Sequence, residues 1–132
     1  KGTNVEVCMS TFLCEGASEQ ADAFIKGFQD YLNADSEKLT NNGGNDVVSA
    51  VSALGYDAYM VAIEAIKAAG SADGEAIREA LKTVSYEGVT GTIVFDENGD
   101  ADKDTAYIKG VDNATGEFTF VKMQTVADLE NK

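Results

Sequence analysis

The chain has 132 residues, the length of one ordinary domain or of a piece of a larger one. Apolar residues make up 44% and charged residues 25%, a composition typical of a soluble globular chain and too apolar for a disordered one. The formal net charge of −13 argues against nucleic acid and anionic membrane surfaces as partners, because both are bound by clustered Lys and Arg. The chain contains no His, which excludes Ser-His-Asp and Cys-His catalysis and the usual zinc sites.

The chain shows no targeting or membrane-spanning segment. No apolar stretch approaches the roughly 18 residues that a membrane span needs. The sequence opens on Lys1 rather than Met, and no signal peptide is visible. We therefore expect a processed chain or an excised piece of a longer protein, with any export signal or lipid anchor upstream.

The first segment has the alternation of a strand with one buried face. Apolar and polar residues alternate over residues 4–9, and residues 10–16 are predicted to lead out as a loop. Cys8 and Cys14 stand six residues apart, which is about 20 Å along an extended strand. A disulfide needs Cα atoms within about 7 Å of each other. We therefore expect two separate thiols, buried or half-buried, that say little about the redox compartment.

A helix is predicted over residues 18–33, where Ser18 can cap the first turn. Its apolar positions recur at spacings of three and four, as one helical stripe requires: Ala21, Phe24, Ile25, Phe28 and Leu32. Residues 33–46 are polar and hold two consecutive Asn and two consecutive Gly, so we predict an exposed connection there.

The longest predicted helix covers residues 47–69, with Asp46 as its N-cap and Gly70 ending it in a left-handed conformation. Its apolar face exceeds half the circumference, so we expect other elements to cover it on more than one side. Gly55 inside this helix costs about 1 kcal/mol relative to Ala. Close packing, a ligand near the backbone or a helix break would each explain it.

A third helix is predicted from its N-cap Asp73 to residue 84, and the remainder is rich in β-structure. Residues 86–95 are a Gly-punctuated β segment, and Asn98-Gly99 is a strong hairpin signal. Two more strands are predicted at 105–111 and 117–121, and the tail at 123–132 is expected to fray or to form a short helix. One strand before three helices cannot complete a parallel sheet, which again indicates part of a larger protein.

Several motifs, taken in their order and spacing, resemble the amino-acid-binding proteins of ABC importers, the leucine/isoleucine/valine-binding type. They are Leu54-Gly55-Tyr56-Asp57-Ala58, Glu64-Ala65-Ile66, Ala69-Gly70, Ala76-Ile77-Arg78-Glu79-Ala80-Leu81 and the run from Tyr86 to Asp100. The likeness spans about residues 5–121. It implies an α/β fold: a fragment of a type I periplasmic-binding fold, β-α-α-α followed by β-hairpins, with an incomplete lobe. In such proteins a ligand binds between two lobes that close on it.

The resemblance also implies a division of the chain, which forms a single C-terminal segment of a two-lobed domain. Residues 1–14 are the strand and a hinge crossing, and residues 15–85 are the helical part of the first lobe. Residues 86–122 are the β-hairpins and the return crossing, and residues 123–132 are the tail. Most of both lobes is absent from this chain, including the groups that usually grip the amino acid's carboxylate and ammonium.

Five residues are candidates for contact with ligand under this resemblance. Thr11 and Phe12 follow the first strand, where the hinge meets the cleft; a ligand-facing wall and plain loop packing are equally open for them. Ser52, Ala53 and Tyr56 fall where the family's helix comes near the bound side chain. Helix–sheet packing is the alternative for these three, and it is favoured for Tyr56.

The sequence offers no metal, cofactor or catalytic site. Asp96, Asn98, Asp100 and Asp102 resemble the start of a calcium loop. An EF-hand needs Gly at its sixth position and Glu at its twelfth, where this chain has Ala101 and Tyr107, so a solvated hairpin tip is favoured. No nucleophile stands beside a base and no Gly-rich phosphate loop is present, so we expect no enzyme.

The leading prediction is a solute-binding protein that captures an amino acid, aliphatic in type, and docks on the membrane permease of an ABC importer. It implies an extracytoplasmic location, periplasmic or tethered to the cell surface, for a protein made with a signal peptide or as a lipoprotein precursor. The alternatives are a ligand-sensing module of a receptor or regulator, and an acidic protein-interaction domain without a small ligand. The incomplete lobe also predicts that the isolated chain self-associates, and no nucleic acid partner is expected.

Overall fold

The structure, a computed structural model, describes residues 8–130, without the side chain of residue 130. Of the first predicted strand, residues 4–7 therefore lie outside the described residues. The described part is a mixed α/β arrangement of five helices and six strands. In chain order these are β1 (Cys8–Thr11), α1 (Glu19–Asn33), α2 (Ser36–Asn41), α3 (Ala50–Ala69), α4 (Gly74–Leu81), β2 (Tyr86–Gly88), β3 (Gly91–Phe95), β4 (Ala101–Asp102), β5 (Thr105–Val111), β6 (Phe118–Thr125) and α5 (Ala127–Glu130).

The strands form two separate antiparallel sheets of three strands each. The first has the order β1-β5-β6, and the second has the order β2-β3-β4. In the first sheet Thr11 lies opposite Tyr107, so β1 continues two residues beyond Met9. The prediction that the chain leaves the strand at Ser10 is therefore wrong, because pairing with β5 keeps the backbone extended. Residues 103–104 connect β4 to β5 and so join the two sheets.

α1 begins as the sequence predicts. The Ser18 hydroxyl accepts a hydrogen bond from the Ala21 amide at 3.1 Å, which satisfies one of the free N–H groups of the first turn. Ala21 and Leu32 are its buried residues. Residues 33–46, predicted as an unstructured connection, contain the short helix α2. The prediction missed it because Asp35 caps this helix through the Glu37 amide while its residues bury almost nothing.

α3 begins at Ala50 and not at Val47, so the prediction of Asp46 as its N-cap is wrong. Ser49 is the cap and accepts from the Val51 amide, whereas the Asp46 carboxylate accepts from the Asn33 side chain at 3.0 Å. The predicted end is confirmed, since Gly70 adopts φ +59°. Gly55 lies within an unbroken helix, and apart from its chain neighbours and the backbone of its own helix no described atom comes within 4 Å of the position of an added Cβ. Neither a helix break nor close packing therefore explains why a Gly stands inside α3.

α3 keeps one exposed apolar side within the described residues. Its buried residues are Ala53, Asp57, Val61 and Ala65. Val51, Tyr59 and Ile66 are 73%, 66% and 44% exposed. α3 contacts α1 through Phe24 and Tyr56, and it also contacts α4 and β2. This cover leaves the side with the three exposed residues open.

The C-terminal half follows the predicted order with shifted ends. Asp73 caps α4 as predicted, but α4 ends at Leu81 and turns fill residues 82–84. The Asn98-Gly99 hairpin is confirmed between β3 and β4, with Gly99 at φ +87°. β6 continues past Val121 to Thr125 because residues 123–125 pair with β5, and the short helix α5 follows.

The main cluster of buried residues joins the segment after β1 to α1, α3 and the β2–β3 turn. It contains Leu13, Ala21, Ala53 and Val89. The two thiols are free, as predicted; Cys14 is buried but Cys8 is exposed, because it lies on the edge strand β1. Burial raises the pKa of the Cys14 thiol. Within residues 8–130, no helix combines the length and the apolar character that crossing a membrane requires.

Candidate functional site

A fully buried carboxylate, that of Asp57 on α3, organises the centre of the molecule. Its side chain is 0% exposed. Oδ1 accepts from the Val89 amide at 2.9 Å, and Oδ2 accepts from the Thr90 amide at 2.8 Å and the Thr90 hydroxyl at 2.7 Å. Three donors on one carboxylate compensate for its removal from water. Asp57 thereby fixes the β2–β3 turn against α3.

The carboxylate fits this position only because residue 88 is Gly. A Cβ added at Gly88 would lie 2.6 Å from Cγ and from Oδ2 of Asp57, a distance that real Cβ atoms do not reach. The backbone of β2 can therefore approach α3 closely. Through this close approach the Gly-Tyr-Asp-Ala segment of α3 contacts the Glu-Gly-Val-Thr-Gly segment at the β2–β3 turn.

The charge of Asp57 acts on three further ionisable side chains. The Lys103 ammonium donates to the carbonyl and the hydroxyl of Thr90, both at 2.9 Å. Burial lowers the pKa of Lys103, while the charge of Asp57 acts in the opposite direction. Burial raises the pKa values of Tyr86 and Tyr107, and the charge of Asp57 raises both further. The cluster therefore combines one buried anion with one half-buried cation and two neutral phenols.

Thr11 and Phe12, two of the predicted ligand contacts, lie at the end of β1 as expected. The Thr11 hydroxyl donates to the Leu13 carbonyl at 3.1 Å and accepts from the Leu13 amide at 3.3 Å, so it stabilises the local backbone. Phe12 is 38% exposed, and the Lys103 ammonium lies 5.7 Å from the centroid of its ring. Phe12 has an accessible face that a ligand could contact, whereas the Thr11 hydroxyl is already paired.

The other three predicted contacts, on α3, lie in different environments. Ala53 is 0% exposed and belongs to the main buried cluster. Ser52 is half-buried. Tyr56 is 43% exposed, and its ring centroid lies 5.2 Å from that of Phe24 on α1. The structure does not gather the five residues into one pocket.

Tyr56 lines an open aromatic groove between α1 and β2. The groove has a volume of about 720 Å³, within the usual size range of small-molecule sites. We call it the aromatic groove, and its lining residues are Gln20, Ala23, Phe24, Gly27, Phe28, Tyr31, Tyr56, Tyr86, Glu87, Gly88 and Val89. This groove is not predicted from the sequence. The signal was the aromatic spacing Phe24, Phe28, Tyr31 on α1, which also fits a stripe facing the core.

In the acidic hairpin tip between β3 and β4, backbone amides of the same tip donate hydrogen bonds to a carboxylate. The Asp96 carboxylate accepts from the Asn98 and Asp100 amides, both at 2.9 Å. The pKa of Asp96 lies below its ordinary value, chiefly because the Asp100 amide donates to the ionised carboxylate. Across residues 8–130, no three acidic or thiol side chains are grouped so that they could hold a metal ion.

Comparison with known proteins identifies the family. Residues 6–116 match the periplasmic binding protein family, so this chain belongs to it. Members of this family bind small ligands and are generally extracytoplasmic. The α/β arrangement of residues 8–130 is accordingly a fragment of the periplasmic-binding fold, as the sequence predicted.

A relative with a longer chain also matches. A stretch of 63 residues is 38% identical to metabotropic glutamate receptor-like protein E of Dictyostelium discoideum. That match covers 44% of this chain and 8% of the relative. The chain thus spans a small part of the relative's length.

Proposed function

We propose that this chain is part of the solute-binding component of an ABC importer. It helps to capture an aliphatic amino acid of the branched-chain type between two lobes and then docks on the membrane permease. The family match over residues 6–116 carries this proposal, because small-ligand binding is what the family does. The particular ligand class rests on the motifs that resemble the leucine/isoleucine/valine-binding type.

The exposed groups near the predicted site suit an apolar ligand. Phe12 and Tyr56 present partly exposed aromatic rings, and the segment from Ser52 to Tyr56 carries no charged side chain. Aromatic and aliphatic surfaces recognise aliphatic side chains by burial from water. Thr11, Ser52 and Ala53 contribute by placing these rings rather than by direct contact.

The remaining parts of the proposal concern location and chemistry. A charge of −13 favours a secreted or surface-tethered protein kept soluble by repulsion. The protein is made with a signal peptide or as a lipoprotein precursor. It binds and releases its ligand without chemical change, so it is not an enzyme and needs no cofactor.

Isothermal titration calorimetry tests the ligand class. The complete protein encoded by the gene is titrated with each of the twenty amino acids and with glucose. We expect heat with Leu, Ile or Val. Tight glucose binding, or no heat with any aliphatic amino acid, would contradict the proposal.

The same titration tests the proposed contacts. Phe12→Ala and Tyr56→Ala are each expected to weaken binding about tenfold, equivalent to about 1.4 kcal/mol. Tyr59→Ala is the matched control, because Tyr59 is 66% exposed on the same helix and is absent from the aromatic groove. If Phe12→Ala and Tyr56→Ala bind the amino acid as tightly as the unmodified protein and the Tyr59→Ala control, these two rings are not part of the site.

A second candidate function is a ligand-sensing module of a receptor or regulator. The relative whose printed name is receptor-like favours it. A transmembrane or DNA-binding segment encoded in the same gene would select this candidate over the importer component. The aromatic groove supports either small-ligand function over the third candidate, an acidic protein-interaction domain without a ligand.

A further inference from the structure

Lys103 lies in the short link between the two sheets. The link, residues 103–104, leaves β4 in one sheet and enters β5 in the other. The second route between the sheets leaves β1 at Phe12 and runs through the helices. The Lys103 ammonium lies 5.7 Å from the centroid of the Phe12 ring, so one side chain meets both routes.

A continuous line of hydrogen bonds runs from this link to α3. The Lys103 ammonium donates to the carbonyl and to the hydroxyl of Thr90, and the same hydroxyl donates to Oδ2 of Asp57. Thr90 is 3% exposed and Asp57 is 0% exposed, so most of this line is shielded from water. The link is thereby tied to the β2–β3 turn and, through it, to α3.

The energetics favour a positional role over a stabilising one. Partial burial of an ammonium costs free energy, which two oxygen acceptors and a nearby carboxylate offset. Buried ionic groups of this kind add little net stability, and in some proteins they select one arrangement of the elements that they join. An apolar residue in this link would avoid the desolvation cost, but it would make no hydrogen bond to the β2–β3 turn.

We propose that Lys103 is a positioning residue that fixes the orientation of the β1-β5-β6 sheet relative to α3 and the β2-β3-β4 sheet. It does so by holding the inter-sheet link against Thr90 and Phe12. Its consequence for ligand capture rests on the proposed function: this link is then a crossing that bends when the lobes close, and Lys103 limits the bending.

Spin-label distance measurement tests this role without any ligand. One label is attached to the exposed Cys8 on β1 and the other to Ala72→Cys, an exposed position between α3 and α4, in a Cys14→Ala background. The complete protein encoded by the gene is used. We expect Lys103→Met to widen the distance distribution about twofold by releasing the link, and Lys103→Arg to keep it narrow.

Lys109→Met is the matched control. Lys109 lies on β5, and its ammonium also stacks on a ring, 4.2 Å from the centroid of Phe118. If the loss of a cation only destabilised the fold, the distance distribution would widen equally in Lys103→Met and Lys109→Met. A positioning role predicts that it widens in Lys103→Met alone. Equal widening in both variants, or none at Lys103, overturns the proposal.

A second variant covers a failure of Lys103→Met to fold. Lys103→Gln keeps a hydrogen-bond donor but not the reach of the ammonium, and we expect a width between those of the wild type and a free link. An unchanged width in Lys103→Gln then overturns the proposal. Since no ligand is present, this result and the calorimetric result for amino acids can fail independently.

Discussion

At the scale of single residues, Asp57 determines how the helices meet the β-structure. An unpaired buried carboxylate would cost several kcal/mol. Here its oxygens accept from two amides and one hydroxyl, and no described buried side-chain N or O atom is without a hydrogen-bond partner. The β2–β3 turn therefore depends on a side chain that is 32 residues away in sequence.

Removing this charge is expected to destabilise the fold. Asp57→Asn replaces an acceptor oxygen by an NH₂ group that faces other donors, and we expect a loss of about 2–4 kcal/mol in the free energy of unfolding. Urea unfolding followed by circular dichroism measures it.

Asp22→Asn is the control for this change. The Asp22 carboxylate also accepts from a backbone amide, that of Gly16 at 2.7 Å, but it is exposed. We expect a loss of at most about 1 kcal/mol there. A loss at Asp57 no larger than that at Asp22 would show that the buried carboxylate does not anchor the turn.

Two glycines give opposite expectations for the same substitution. Gly88→Ala places a methyl group 2.6 Å from the Asp57 carboxyl group, and we expect a loss of about 2 kcal/mol or more from the forced shift. Gly27 lies inside α1, and apart from its chain neighbours and the backbone of its own helix no described atom lies within 4 Å of an added Cβ. For Gly27→Ala we expect a gain of about 0.5–1 kcal/mol in the free energy of unfolding. Thermal unfolding compares them; a stabilising Gly88→Ala would mean that β2 does not approach α3 as described.

The sequence predicts those residues whose partners are local. The caps Ser18 and Asp73 and the terminator Gly70 each act within a few residues, and all three are confirmed. The hydrogen-bond partners of Asp57 could not be predicted from the sequence, because they lie 32 and 33 residues away. The motif that contains Asp57 indicated the family, but it did not indicate that the carboxylate is buried and hydrogen-bonded. The aromatic groove was missed because spacing on one helix does not reveal which residues a distant strand leaves uncovered.

At the scale of elements, boundaries depend on competition between neighbouring signals. Asp46 and Ser49 are both good N-cap residues, and α3 uses Ser49 because the Asp46 carboxylate binds Asn33. The ends of β1 and β6 were set too early because pairing with β5 extends both strands. Local propensity predicted which elements exist, and tertiary pairing decided where they end.

The β3–β4 hairpin is expected to respond to acid. Backbone amides, chiefly that of Asp100, stabilise the ionised Asp96 carboxylate and lower its pKa. A lowered folded pKa adds stability above the unfolded pKa, and this stability is lost as pH falls through the folded pKa. In an NMR titration, the Asp100 amide shift should therefore have its midpoint below that of an unstructured Asp reference peptide.

Asp96→Asn provides the control for the hairpin titration. It keeps an oxygen acceptor but removes the titrating group, so the Asp100 amide shift should lose this transition. A midpoint at or above that of the reference peptide in the unmodified chain would mean that the amides do not hold the carboxylate.

At the scale of the whole molecule, apolar surface remains uncovered. α3 exposes Val51, Tyr59 and Ile66, and β6 exposes Phe118 and Met123 at 57% and 55%. Covering 400 Å² of such surface is worth about 10 kcal/mol at about 25 cal/mol per Å². The charge of −13 opposes association but is screened within about 8 Å at physiological salt. Burial is expected to prevail.

The isolated chain is therefore expected to self-associate. Light scattering after size exclusion at about 0.15 M salt, the ionic strength at which screening is strong, should give a mass above the 13.9 kDa of one chain. Tyr59→Glu adds a charge to the exposed apolar side of α3 and should lower that mass. Ala68→Glu adds the same charge to an exposed position on a different side of the helix and should not. A clean monomer with a cooperative melt would contradict the incomplete-lobe interpretation.

If this chain forms part of an amino-acid-binding cleft that uses Phe12 and Tyr56, leucine must protect the backbone around both rings. Hydrogen–deuterium exchange of the complete protein is measured with and without saturating leucine. We expect slower exchange in peptides covering residues 10–13 and 52–57, and unchanged exchange in α2. Exchange that leucine leaves unchanged in both segments, or protection confined to other parts of this chain, would contradict it.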